Sequence, residues 1–88
     1  MKLSVEISMY PLQEAYKEKI KAFLDDINQQ AQDVEIKSSN MSTRLFGEYK
    51  AVTELLNAAM LESMQTYGKI VFVAKYLEGD ARELKGYE

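Results

Sequence analysis

Leu3, Val5, Ile7 and Met9 alternate with Lys2, Ser4, Glu6, Ser8 and Tyr10 at the start of the chain. A period of two marks a strand with one buried face, here the odd-numbered one. Pro11 ends it, because proline has no N–H for a neighbouring strand. The period then changes: Tyr16, Ile20, Phe23, Leu24 and Ile27 recur at helical spacing with Lys17, Glu18, Lys21 and Asp25 between them, which predicts a helix over 13–30. Glu14 with Lys17, and Glu18 with Lys21, are spaced to pair on its outer side. Val34 and Ile36 alternate with Asp33, Glu35 and Lys37, a short second strand, and Ser38-Ser39-Asn40 supplies turn chemistry. A third strand follows over 41–46, close enough to pair as an antiparallel hairpin. Gly47 breaks the run as a strand-to-helix hinge and Glu48 opens a second helix through Val52, Leu55, Leu56, Ala59, Ser63 and Tyr67, with Gly68 as its cap. Met60 and Met64 read as core residues of that helix.

The last regular segment, 69–77, reads KIVFVAKYL. Ile70, Phe72, Ala74 and Tyr76 share one face and Val71 and Val73 the other, so both faces call for cover. From Glu78 onward, glycines and charges suggest a loosely held tail or a short turn. Strand, helix, strand, strand, helix, strand is the α+β, ferredoxin-like βαββαβ plan: an antiparallel four-stranded sheet with two helices on one face. The other face stays bare, with Tyr10, Phe46 and part of the last strand expected near it. An apolar patch there makes self-association, as a dimer or tetramer, the expectation.

At 88 residues the chain reads as one domain, 1–88. A body of this size hides roughly 60–65% of its unfolded surface, so its stability margin is thin. The net charge of −3, from 11 basic and 14 acidic residues, speaks against nucleic acid as partner. There is no cysteine and no histidine. A disulfide framework, a thiolate nucleophile, the commonest general base and the commonest transition-metal ligand are therefore missing. The Asp25-Asp26 pair diverges by about 100° around a helix and reads as solvated surface. No apolar run approaches the roughly 18 residues that span a bilayer, and the alternating start is unlike a signal peptide. A cytoplasmic location without membrane partners is the default expectation.

The segments VEISMYPL, SSNMSTRLFGEY and KIVFVAKYLEGDA, in this order on a βαββαβ plan, resemble the YkoF-type thiamine- and hydroxymethylpyrimidine-binding proteins. The resemblance covers nearly the whole chain and implies a non-enzymatic protein that binds thiamine or its pyrimidine precursor, with no cofactor. Members with two repeats per chain pair into dimers. This chain has one repeat, and is similar to half of such a protein or to single-repeat relatives that stack their sheets into tetramers.

Chemistry selects the candidate contacts. A flat aminopyrimidine wants apolar or aromatic faces and a few donors and acceptors at its edge. Ser8, Ser42 and Thr43 offer hydroxyls; Tyr10, Met41 and Phe46 offer faces. A cationic thiazolium favours a carboxylate or an aromatic face, which Glu6, Glu48 and the aromatics supply. Each has a plainer role as well. Ser42 and Thr43 are neighbours on a strand and point oppositely, so one of them is structural. Arg44 is placed to pair across strands with Glu6 or another exposed carboxylate, and Glu48 complements the helix dipole. Three other readings share the fold. An RNA-recognition module needs more aromatics on its central strands than Tyr10 and Phe46. An acylphosphatase-like enzyme could use Arg44 and Asn40, but MYPLQE stands where its glycine-rich phosphate loop belongs. An oligomeric assembly or regulatory unit binding another small molecule overlaps the first reading.

Overall fold

The computed structural model describes residues 1–39 and 42–83. Along the chain run β1 (Lys2–Pro11), α1 (Tyr16–Gln30), β2 (Val34–Ser38), β3 (Thr43–Glu48), α2 (Tyr49–Tyr67), β4 (Ile70–Glu78) and a 3-10 turn (Ala81–Glu83). The four strands form one antiparallel sheet in the order β2-β3-β1-β4. This is the ferredoxin-like βαββαβ layout. The long β4 is one margin of the sheet and the five-residue β2 the other.

Register sorts the side chains. Leu3, Val5, Ile7 and Met9 point to the helices, and so do their partners Gly47, Leu45 and Thr43 on β3 and Phe72 and Ala74 on β4. With Phe23 and Ile27 of α1 and Val52, Leu56 and Ala59 of α2 they make the core. Phe23 meets Phe72 with ring centroids 5.2 Å apart, tying α1 to the margin strand. Met60 packs against this core, whereas Met64 is 44% exposed and outside it. On the bare face stand Ser4, Glu6, Ser8 and Tyr10 of β1, Arg44 and Phe46 of β3, and Val71, Val73, Lys75 and Leu77 of β4.

Several boundaries differ from the sequence expectation. The α1 helix starts at Tyr16 rather than 13, because Ala15 before it is left-handed, at φ 58°, and offers no side-chain cap. The expected pairs of Glu14 with Lys17 and Glu18 with Lys21 are not among the ion pairs of the described residues; Lys21 reaches Asp25 instead, at 3.2 Å. The β3 strand runs Thr43–Glu48, and Gly47 lies inside it, buried, rather than ending it. Gly68 does cap α2: it has φ 89°, and its N–H donates to the Met64 carbonyl.

Of the tail and the short turn expected after β4, the turn is what forms, through Glu83. The Gly79 N–H donates to the Lys2 carbonyl at 2.8 Å. The Ser4 hydroxyl donates to the Gly79 carbonyl at 2.9 Å and accepts from the Ala81 N–H at 2.8 Å. Arg82 is bidentate on Asp80, reaches Glu35 at 3.2 Å and lies 5.1 Å over the Phe46 ring. Phe46 is therefore only 5% exposed and does not contribute an open aromatic surface. These contacts join residues some 75 positions apart, so no local pattern foretells them.

The clasp carries a pH signature. The Arg82 guanidinium, by its hydrogen bonds first, holds the Asp80 carboxyl at about 2 against an ordinary 3.8. A carboxylate depressed by folding stabilises fully above its unfolded pKa and loses that contribution as pH falls through its folded value. The clasp is therefore complete above about pH 4 and opens toward pH 2. We expect the Ala81 and Arg82 amide resonances to titrate together with a midpoint near 2, and Asp80→Asn to abolish that transition. A midpoint at an ordinary carboxylate value would refute the clasp.

Candidate functional site

The ladders on the two sides of β1 have different lengths. With β3 pairing stops at Ile7↔Thr43, while with β4 it continues to Pro11↔Ile70. Strand β1 thus outruns β3 by its last four residues. The turn into β3 leaves the sheet early: Ser39 donates to the Ser42 carbonyl through both its N–H, at 2.9 Å, and its hydroxyl, at 3.2 Å. The start of α1 approaches from the other side. A hollow of about 440 Å³ is left between them.

Its walls are mixed. Ser8 and Tyr10 come from the unaccompanied end of β1, and Ser42 and Thr43 from the mouth of the hairpin. Tyr16, Ile20, Phe23 and Leu24 of α1 make the apolar side. The Thr43 hydroxyl shares a hydrogen bond with Ser38 at 3.1 Å and the residue is 5% exposed, so it is the inward, structural one of the pair. Ser42 points the other way and donates to Glu6 Oε2 at 3.2 Å. Glu6 thus stands behind Ser42, on the bare face, with Lys75 at 3.8 Å.

Four of the eight residues chosen from the sequence, Ser8, Tyr10, Ser42 and Thr43, line this hollow, and Glu6 adjoins it through Ser42. Met41 lies outside the described residues, as does Asn40. Phe46 is elsewhere on the sheet, beneath Arg82. Glu48 is remote from the hollow: its register partner is Lys2, at the opposite end of β1. There it accepts from the chain's N-terminal ammonium at 3.2 Å and pairs with Lys2 at 3.3 Å, and these cations hold its carboxyl below the usual range. Arg44 stands opposite Glu6, yet Glu6 turns to Lys75 and no carboxylate among the described residues reaches the guanidinium. Sequence reasoning missed the α1 wall. Tyr16 and Ile20 read as core there, and only the unequal ladder lengths reveal that the helix start faces a gap. No three metal-ligating side chains cluster among the described residues, and no described helix is long and apolar enough to cross a membrane.

The sequence model of the YKOF-related family matches residues 2–77. The chain belongs to the YKOF-related family. No curated protein sequence is significantly similar to it. Among solved structures, a Streptococcus pneumoniae protein is similar with a TM-score of 0.74 at 22% identity, over 96% of this chain and 93% of that one. A candidate thiamine biosynthesis/salvage protein of Thermotoga maritima superposes with a TM-score of 0.77 at 16% identity, over 90% and 85% of the two chains. A Bacillus cereus domain of unknown function gives 0.75 at 14% identity, over 100% and 91%. At such identities the likeness establishes the shared fold. Within the YKOF-related family the hollow beside Ser42 is thus set on a fold whose sheet and helices recur across distant organisms.

Proposed function

We propose that the chain binds thiamine or its hydroxymethylpyrimidine precursor, without chemical turnover, in the hollow between the end of β1, the mouth of the β2–β3 hairpin and the start of α1. The observation that carries this is the lining: the hydroxyl-bearing residues Ser8, Tyr10 and Ser42 gathered with apolar Tyr16, Ile20, Phe23 and Leu24 around one hollow. A flat heteroaromatic ring needs that combination. Family membership and the thiamine-related name of the Thermotoga maritima neighbour support the ligand class. Glu6 behind Ser42 supplies the charge that a thiazolium prefers and the neutral pyrimidine does not need.

Calorimetry with thiamine, its phosphates and the free pyrimidine tests the reading. Saturable binding is expected. Ser42→Ala should weaken both ligands about fivefold, the worth of one ordinary hydrogen bond. Glu6→Gln should weaken thiamine alone, by about tenfold or less. No heat and no thermal shift with any of them at millimolar ligand would overturn it.

The proposal extends to self-association through the bare face. Tyr10, Val71 and Val73 lie there 52%, 44% and 51% exposed, as an apolar end that two copies could cover together. Light scattering should give at least twice the chain mass, and a monomer at high protein concentration rejects it.

A further inference from the structure

The bare face changes character along its length. Past the apolar end, the cross-strand row Lys37, Arg44, Glu6 and Lys75 crosses the whole sheet. Beside that row the surface sinks into a second hollow, of about 540 Å³, whose rim is completed by Arg82 of the C-terminal clasp. Four cations line it against a single carboxylate, Glu6, in a chain whose net charge is −3.

Three of the cations are already engaged. Arg82 holds Asp80 and Glu35, Lys37 reaches Glu35 at 3.6 Å, and Lys75 reaches Glu6 at the long distance of 3.8 Å. Arg44 has no carboxylate partner among the described residues, and it is half-buried near the middle of the row. A guanidinium set on a strand and left unneutralised is a ready fork for a carboxylate or a phosphate. Lys37, beside it on β2, and Lys75, one strand beyond Glu6, add to the field. The rest of the lining includes apolar surface, Leu77 and Ala81. A bare inorganic ion would leave that surface unused.

We infer that this second hollow binds a small organic anion, with its phosphate or carboxylate on Arg44, in the field of Lys37 and Lys75, and its apolar part against Leu77 and Ala81. The site is distinct from the hollow beside Ser42 and of opposite preference, since the unneutralised Arg44 repels a thiazolium. It stands whether or not the thiamine reading does.

An amide-resolved NMR titration of the whole chain with phenyl phosphate tests it. Saturable shifts should centre on Lys37, Arg44, Lys75 and Leu77, and should weaken as salt is raised. Arg44→Gln should weaken binding about tenfold or more, and Lys75→Gln, at a more exposed position, about threefold. Lys21→Gln, on α1, should leave it unchanged. Benzyl alcohol and inorganic phosphate should each bind at least about tenfold more weakly than phenyl phosphate. The inference falls if no saturable shift appears by about 10 mM, or if both Arg44→Gln and Lys75→Gln bind like the parent. It falls equally if benzyl alcohol or inorganic phosphate binds as well as phenyl phosphate.

Discussion

Leu45→Ala should remove about 3–5 kcal/mol of unfolding free energy. Leu45 is 0% exposed, and its register partners are Val5 on β1 and Ile36 on β2. Val52 and Leu56 of α2 belong to the same buried cluster. Truncation there strips a side chain from the middle of the sheet, where neighbours on both sides are held by ladders and cannot close the void. A chain of this length has a total of about 4–13 kcal/mol, so the variant should be marginal. Urea unfolding followed by circular dichroism should show the midpoint falling by about 2 M at unchanged slope. Leu45→Met, which keeps the volume, should lose less than about 1.5 kcal/mol. Equal losses for the two variants would show that packing at this point does not hold the layers together.

Gly47→Ala is the other large effect, at about 1–3 kcal/mol. The reason is space. A methyl group at Gly47 would stand 2.9 Å from the Asp33 carbonyl oxygen and 3.3 Å from a Val52 methyl. The carbonyl belongs to backbone that is itself committed: Asp33 sits at φ 59°, and β2 begins at the next residue. Relief therefore requires the α1–β2 connection or the start of α2 to move. Amide shifts in Gly47→Ala should spread to residues 32–36 and to Val52. Gly79 offers the contrast. A methyl there meets nothing within 4 Å, and only its φ of 105° opposes the change, so Gly79→Ala should disturb the turn locally and leave 32–36 in place. A Gly47→Ala variant as stable as the parent would refute the close approach.

The sheet and both helices were legible because each writes its period into the sequence. Leu3, Val5, Ile7 and Met9 are all buried, as the alternation demands, and Phe23 and Ile27 of α1 likewise. The boundaries failed where a single residue's backbone decided: Ala15 delays α1, and Gly47 continues β3 because it keeps its ladder partners Leu3 and Val34, with the Asp33 carbonyl leaving no room for a side chain. The hydroxyls of the hollow were readable as residue types, since serine and threonine beside a turn stand out. Their gathering was not, because it follows from how far β1 runs past β3, a property of pairing rather than of either segment. Glu48 shows the converse. It looked available for a cation, and it has two, the N-terminal ammonium and Lys2, both supplied by the chain itself. The Asp80–Arg82 clasp was invisible for the same reason as the hollow: its partners Ser4, Glu35 and Phe46 are far away in the sequence.

The two margins of the sheet are unequal, and this bears on how copies could add to one another. The β4 margin is nine residues long and rich in β-branched and aromatic residues; the β2 margin is five long, with Glu35 and Lys37 on its outer side. Head-to-tail addition, β4 onto β2, would propagate without limit into a fibre, but it asks the long margin to accept a short, charged partner. Like-to-like addition, β4 onto β4, matches the lengths and exhausts both at once. Strand-by-strand addition through β4 is therefore self-terminating at a pair.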